Sequence, residues 1–298
     1  MRWVREFTPQ PETARLYRRA LVITVVGNVL LAVSKATVAY LSGSVALYAD
    51  AANSVSDVIY SFLMVFGLWF SQRPPDLTHP QGHSRFEPLV GLMVTVSMSI
   101  AGYEAARAAV TRFIEGGAVI EPGWPTAVLL FSAAAKLGMF TVIRRMAKQL
   151  CSPTLATTAK DHLSDVLTST AAFIGALGTV YISPLTDPIA GVLVALWIFR
   201  AAFSAGWENL RYLLGAGASP ELREQVVEVA AGVPGVQNVH HTMTEYVGPR
   251  LVVDMHINVN GKMTVDEAHA IADEVIYRLE CLPEIDRAYV HIEPEGYT

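Results

Sequence analysis

Cysteine is scarce: the 298 residues include two, Cys151 and Cys281, far apart and outside any paired motif. That leaves no basis for a disulfide framework or a cysteine-rich metal centre. Charge is scarce too, at 16% Asp, Glu, Lys and Arg, where a soluble domain carries about 25%. In its place stand 52% hydrophobic residues and a mean hydropathy of +0.36. Nearly all of that excess lies before residue 210, which predicts membrane spans followed by a soluble tail. A small-residue cleavage site is missing from the opening MRWVREFTPQPETARLYRRA, which stays polar and basic for too long. The first span is therefore expected to act as its own uncleaved insertion signal. Basic character is missing from the tail, where fourteen Asp and Glu from Ser219 onward face five Lys and Arg. This argues against nucleic acid as a partner, since phosphates need a basic surface. The same segment holds five of the eight histidines, a composition compatible with binding cations.

What is present is long and apolar. Six stretches, near 20–41, 44–70, 87–109, 124–146, 156–181 and 188–207, each reach the roughly 20 residues that cross a bilayer. SGS at 42–44 reads as a tight turn, and SQRPPDLTHPQGHSR as a polar loop rich in Pro and Gly. Asp187 and Pro188 read as the N-cap and first residue of the last span. Lys and Arg collect at the N-terminus, in the second loop (Arg73, Arg85) and in the fourth (Arg144, Arg145, Lys148, Lys160). The positive-inside rule then puts both termini and the tail in the cytoplasm, in a multi-pass protein of the cell (inner) membrane. The expected domains are 1–209, a six-helix transmembrane bundle, and 210–298, a cytoplasmic α/β domain. In the tail, Ser219-Pro220 opens a helix to about Ala231, and VQNVHHTMTEYV and RLVVDMHINVN read as strands joined by GPR. In the second strand Leu251, Val253, Met255 and Ile257 alternate with a mostly polar set containing Asp254 and His256. TVDE at 264–267 is a capping box, and RAYVHIE closes as a third strand. The order α-β-β-α-β predicts a two-layer, ferredoxin-like sandwich.

Three constellations could carry chemistry. Asn53 and Asp57 are spaced i, i+4 in the second span, with Asp50 a turn earlier; Asp161 and Asp165 have the same spacing in the fifth. Residues four apart share a helix face, so two facing helices would offer four oxygen-bearing side chains to one divalent cation. The cation would offset carboxylates that burial alone disfavours. Helix–helix hydrogen bonding is the plainer alternative, but two acid-bearing pairs of one spacing fit it poorly. Asp50 reads as a supporting residue. His162, about 100° around the helix from Asp161, is expected to point elsewhere. In the loop, Asp76, His79 and His83 have zinc-type ligand chemistry; Pro80 stands where a zinc-protease helix needs Glu, so that reading is rejected. With no nucleophile or general base beside the pair, the chain reads as no enzyme. In the tail, His256, His291 and Glu293 lie on polar strand faces, His269 on a helix, and His240 and His241 at the start of a strand. Lys35 and Lys136 lie within apolar runs and are expected to snorkel or to pair with an acid.

Together these features resemble the cation diffusion facilitator family over nearly the whole chain. SGSVALYADAANSVSD looks like its second-span signature, RPPDLTHPQGHSRFE like its loop between spans two and three, and GVQNVH, VDMHINV, DEAHAIADEV and YVHIEP like successive pieces of its C-terminal domain. The resemblance implies a homodimeric antiporter in the lipid bilayer that expels a divalent transition metal in exchange for protons. It implies a transport site at Asn53, Asp57, Asp161 and Asp165 and a loop site at Asp76, His79 and His83. It also implies a tail site at His240, His256, His269, His291 and Glu293, the last commonly Asp in that family, with His241 able to join. Zinc transporters of the family place His or Asp at the position of Asn53 and His at that of Asp161. An all-oxygen set favours harder cations, Mn²⁺ or Fe²⁺ over Zn²⁺, and is similar to that of manganese-type members. The competing reading is a membrane metal sensor or assembly scaffold that keeps the tail site without transport.

Overall fold

The computed structural model describes residue 4 and residues 11–42, 45–117, 119 and 124–296, leaving the side chains of 42, 45–50, 52, 53 and 124–126 undescribed. The chain divides into two compact units, Met1–Leu210 and Arg211–Thr298.

The first unit holds α1 (Pro11–Ser42), α2 (Val45–Ser71), α3 (Phe86–Ile114), α4 (Trp124–Leu150), α5 (Pro153–Tyr181) and α6 (Thr186–Leu213). All six are long and apolar enough to cross a membrane, and only 28–33% of each apolar window is buried within the protein. Large side chains such as Leu30, Phe66 and Phe203 therefore face outward, a surface that water disfavours and lipid accepts. The chain is a multi-pass membrane protein. α1 starts well before the predicted span because its first turns, carrying Glu12, Arg15 and Arg18, still present Tyr17 and Ala20 to the interior. α5 opens as Ser152 accepts a hydrogen bond from the Leu155 N–H, with Pro153 at the first helical position, where its missing N–H costs nothing. α6 differs from expectation: it begins at Thr186, so Asp187 is no N-cap. Asp187 sits in the first turn and pairs with Arg112 at 2.8 Å.

α1 packs on α2 and α4, α3 on α2 and α5, and α4 on α5. Tyr17, Met64, Leu68, Ile143 and Leu155 share one buried cluster. Glycine allows the closest approaches: a Cβ at Gly67 would lie 2.0 Å from Val90, and one at Gly91 2.0 Å from Asn209 Oδ1. Between membrane helices small residues gain contact by letting backbones draw near. A buried carboxylate ties three segments together. Glu87, in the first turn of α3, accepts from the Tyr17 hydroxyl at 2.9 Å and from the Ser152 hydroxyl.

The second unit has α7 (Pro220–Ala231), β1 (Asn238–Val247), β2 (Arg250–Val259), α8 (Val265–Glu280) and β3 (Ile285–Pro294), the α-β-β-α-β order read from the sequence. The sheet runs β1-β2-β3, with β1 antiparallel and β3 parallel to β2. Both helices cover one face, where Val226, Val253, Met255, Ile257, Val275 and Leu279 form the core. The reciprocal Thr264–Glu267 capping box starts α8. The other face carries Val252, Asp254, His256 and Asn258 of β2. A bulge between Val239 and His241 breaks the β1 register. Val239 stays on the core face opposite Ile257, His241 stands opposite His256 on the open face, and His240 is the extra residue.

Candidate metal centres

Inside the membrane unit, Asp57 of α2 and Asp165 of α5 are joined through a third helix. The Lys136 ammonium of α4 donates a hydrogen bond to Asp57 Oδ2 at 2.9 Å and forms an ion pair with Asp165 Oδ2 at 2.7 Å. The lysine side chain is 3% exposed, so its charge is compensated inside the bundle rather than by snorkelling. Asp161 and Asp165 are brought together as their spacing predicts, each offering a ligand atom within 4.8 Å of the other.

His162 falls within the same 4.8 Å group, which corrects the expectation that it points elsewhere. The physical reason is the setting of α5. Its first three turns, from Pro153 to Ser164, are buried almost all round, with α3 and α4 packed against them. A 100° rotation about such a helix still points inward. Both ring nitrogens of His162 are buried without a hydrogen-bond partner among the described residues. His162, Asp161 and Asp57 line one open-sided cavity with Asn28 and Ser61. Asn28 donates to the Ser61 hydroxyl at 2.8 Å, and its buried Oδ1 has no partner among the described residues. Asn53 and Asp50 lie on the described backbone of α2, but their side chains are outside the described residues.

The loop residues converge. Asp76 Oδ1 accepts from the Thr78 N–H, the Thr78 hydroxyl and the His79 N–H at 2.9, 2.7 and 2.7 Å. These bonds, led by the Thr78 hydroxyl and then the His79 N–H, stabilise the anion and lower its pKa to about 2. His79 Nδ1 lies 3.6 Å from Asp76 Oδ1 and His83 Nε2 3.5 Å from Oδ2. His83 is 4% exposed, set edge-on against Phe70, and its Nδ1 is buried without a partner among the described residues. Gly82, at φ +94°, makes the turn that brings the second imidazole round.

In the tail, Glu293 is the hub. Its carboxylate stands 3.0 Å from His240 Nε2, 3.5 Å from His256 Nδ1 and 3.5 Å from His291 Nε2. Parallel pairing sets His291 beside His256 and Glu293 beside Asn258, which fixes all four on the open face. Asn258 Oδ1 lies 3.0 Å from His240 Nδ1 and orients that ring. His241 joins through its ring, 4.8 Å from that of His256. Within one protomer His269 stands apart from this cluster. α8 covers the opposite, apolar face of the sheet, and His269 sits on its outer side, 3.6 Å from Asp273 and 72% exposed.

Sequence reading missed Asn28 and Glu87 and left Lys136 without a named partner. The only signal for each was a polar residue in an apolar run or at its head.

A family model described as the cation efflux transmembrane domain matches residues 21–214, and one described as the cation efflux protein cytoplasmic domain matches 218–295. The uncharacterized transporter MJ0449 of Methanocaldococcus jannaschii is 34% identical, over 94% of this chain and 99% of its own. The uncharacterized transporter YdbO of Bacillus subtilis is 29% identical, over 95% and 98% respectively. The manganese efflux system protein MneS of the same organism is 26% identical, over 92% and 94%. Six apolar helices, a small α/β domain and these matches over nearly the full length establish that the chain belongs to the cation efflux family, whose members are metal transporters and not enzymes.

Proposed function

We propose that this protein exports a divalent transition-metal cation in exchange for protons, with Mn²⁺ as the favoured substrate. One observation carries the reading. Carboxylates from two helices, Asp57 and Asp161, line one cavity inside a membrane bundle, and Lys136 ties Asp57 to Asp165. Ionisable groups in such a place are costly unless they serve a substrate. The cation enters from the cytoplasm and is held by Asp57, Asp161 and Asp165, with Asn53 one turn from Asp57. Rocking of the helices exposes it to the far side, where protons compete for the same oxygens and release it. Carboxylate-rich sites suit Mn²⁺, and the relative MneS is by name a manganese exporter. The tail cluster around Glu293 and the loop group at Asp76, His79 and His83 are further metal sites in this reading. The acidic tail concentrates cations on the cytoplasmic side and, as a cytoplasmic domain of its family, pairs two copies into a homodimer. Both termini lie in the cytoplasm and the spans in the cell membrane.

A second reading, Fe²⁺ or Zn²⁺, is favoured by His162, which adds a nitrogen donor beside the carboxylates. Uptake of Mn²⁺, Fe²⁺, Zn²⁺ and Cd²⁺ by inverted vesicles, in parallel, separates the two. Mn²⁺ uptake that draws protons out of the interior and raises its pH, less so in Asp57→Ala, supports the first. Strong Zn²⁺ uptake without Mn²⁺, lost in His162→Ala, supports the second. Purified protein that binds metal but gives no flux in proteoliposomes would make it a sensor or scaffold instead.

A further inference from the structure

We infer that Lys136 is a tethered counter-cation. It occupies the carboxylates of the membrane site while the divalent substrate is absent, leaves them when the substrate binds, and so sets the affinity of that site; this rests on the transport reading above. The geometry is that of a competitor. The ammonium lies 2.9 Å from Asp57 Oδ2 and 2.7 Å from Asp165 Oδ2, bridging the two helices that would have to share a metal. A metal ion bonded to those oxygens sits at about 2.0–2.2 Å, where it and an ammonium at hydrogen-bond distance repel each other strongly.

Stability alone accounts poorly for the lysine. A buried ion pair is often no more stable than apolar residues of similar volume. A bridging cation has a second use, because it keeps buried anions compensated in the empty carrier, which would otherwise hold uncovered charge in an apolar medium. Lysine suits a removable counter-ion. Its ammonium is a point charge on a flexible four-carbon stem, whereas a planar guanidinium forks onto carboxylates and holds them.

The test is a pair of substitutions in the full-length protein, read by Mn²⁺ binding in detergent. The part of the isotherm lost in Asp57→Ala belongs to the membrane site, which separates it from the tail and the loop. In that part, Lys136→Met should bind Mn²⁺ about tenfold more tightly, the size expected of a contacting charged pair. Lys136→Arg should bind it more weakly. In vesicles Lys136→Met should lower KM and kcat together, because a substrate held harder is released more slowly. A merely structural lysine would not produce opposite affinity changes in the two variants. Unchanged or weaker Mn²⁺ binding in Lys136→Met overturns the inference, and should that variant fail to fold, unchanged or tighter binding in Lys136→Arg does so. If Asp57→Ala keeps the whole isotherm, the site reading itself falls and the inference with it.

Discussion

Replacing Gly91 with alanine places a methyl group where the structure has no room. The new Cβ would lie 2.0 Å from Asn209 Oδ1 and 2.5 Å from its Cγ. Asn209 cannot turn aside freely. It is fully buried, and its amide donates to the Thr157 hydroxyl and to the Ala205 carbonyl, both at 2.8 Å. Rotating it away forfeits two hydrogen bonds at about 1 kcal/mol each, and overpacking adds about 1–3 kcal/mol. The better helix propensity of alanine returns about 1 kcal/mol. The net loss is about 3 kcal/mol, which for a unit of this size lowers the melting temperature by roughly 6–12 °C. Thermal unfolding of the purified protein in detergent measures it. The double substitution Gly91→Ala with Asn209→Ala should recover part of the loss relative to the sum of the single changes, because the two act on one contact. A Gly91→Ala protein as stable as the original, or strictly additive effects, would refute the claim that this contact holds α3, α5 and α6 together.

Three further outcomes follow from the geometry. Glu87→Ala should destabilise the membrane unit by about 3 kcal/mol or more, since the buried Tyr17 and Ser152 hydroxyls each lose their acceptor; the same melting assay checks it, with Glu87→Gln milder. Glu293→Ala should weaken metal binding by the tail about tenfold or more, because one carboxylate serves three imidazoles; isothermal titration of the full chain in an Asp57→Ala background reads it directly. The loop turn around Asp76 should survive acid. Its carboxyl is lowered from 3.8 to about 2, so the contribution of its ionised form is present above the unfolded value and is lost only as pH falls through about 2. Carboxyl NMR shifts of Asp76 across that range would contradict this if they moved near pH 4, the ordinary aspartate range.

The elements were legible in the sequence because they depend on local pattern. Apolar runs gave the six helices, alternation in Leu251–Asn258 gave the inward face of β2, and TVDE marked the start of α8. Pairings between elements were not legible, because they depend on how helices are rotated and how far side chains reach. Asp161 and Asp165 could be joined by spacing within one helix, whereas Lys136 finds Asp57 and Asp165 only through the packing of α4. His162 misled because an angle on a helical wheel separates inside from outside only when the helix has an outside, and the start of α5 has none. The helix of His269 was legible too, but the sequence did not say which face of the sheet α8 would cover, and so not that His269 would stand apart from the other histidines of its own protomer.

The slip in β1 has a consequence for how such a site could arise or vanish. An unbroken strand offers one side chain per face for every two residues, so neighbouring histidines would normally be divided between the core and the open side. The extra residue changes the phase of the strand once, letting His240 reach Glu293 while His241 stays opposite His256. Deleting a single codon at His240 would restore even alternation. Val239 would stay on the core face and His241 on the open one, and Glu293 would lose the imidazole of His240. Donor density at this surface thus depends on chain phase as much as on composition, and a relative could gain or lose it without changing any other ligand.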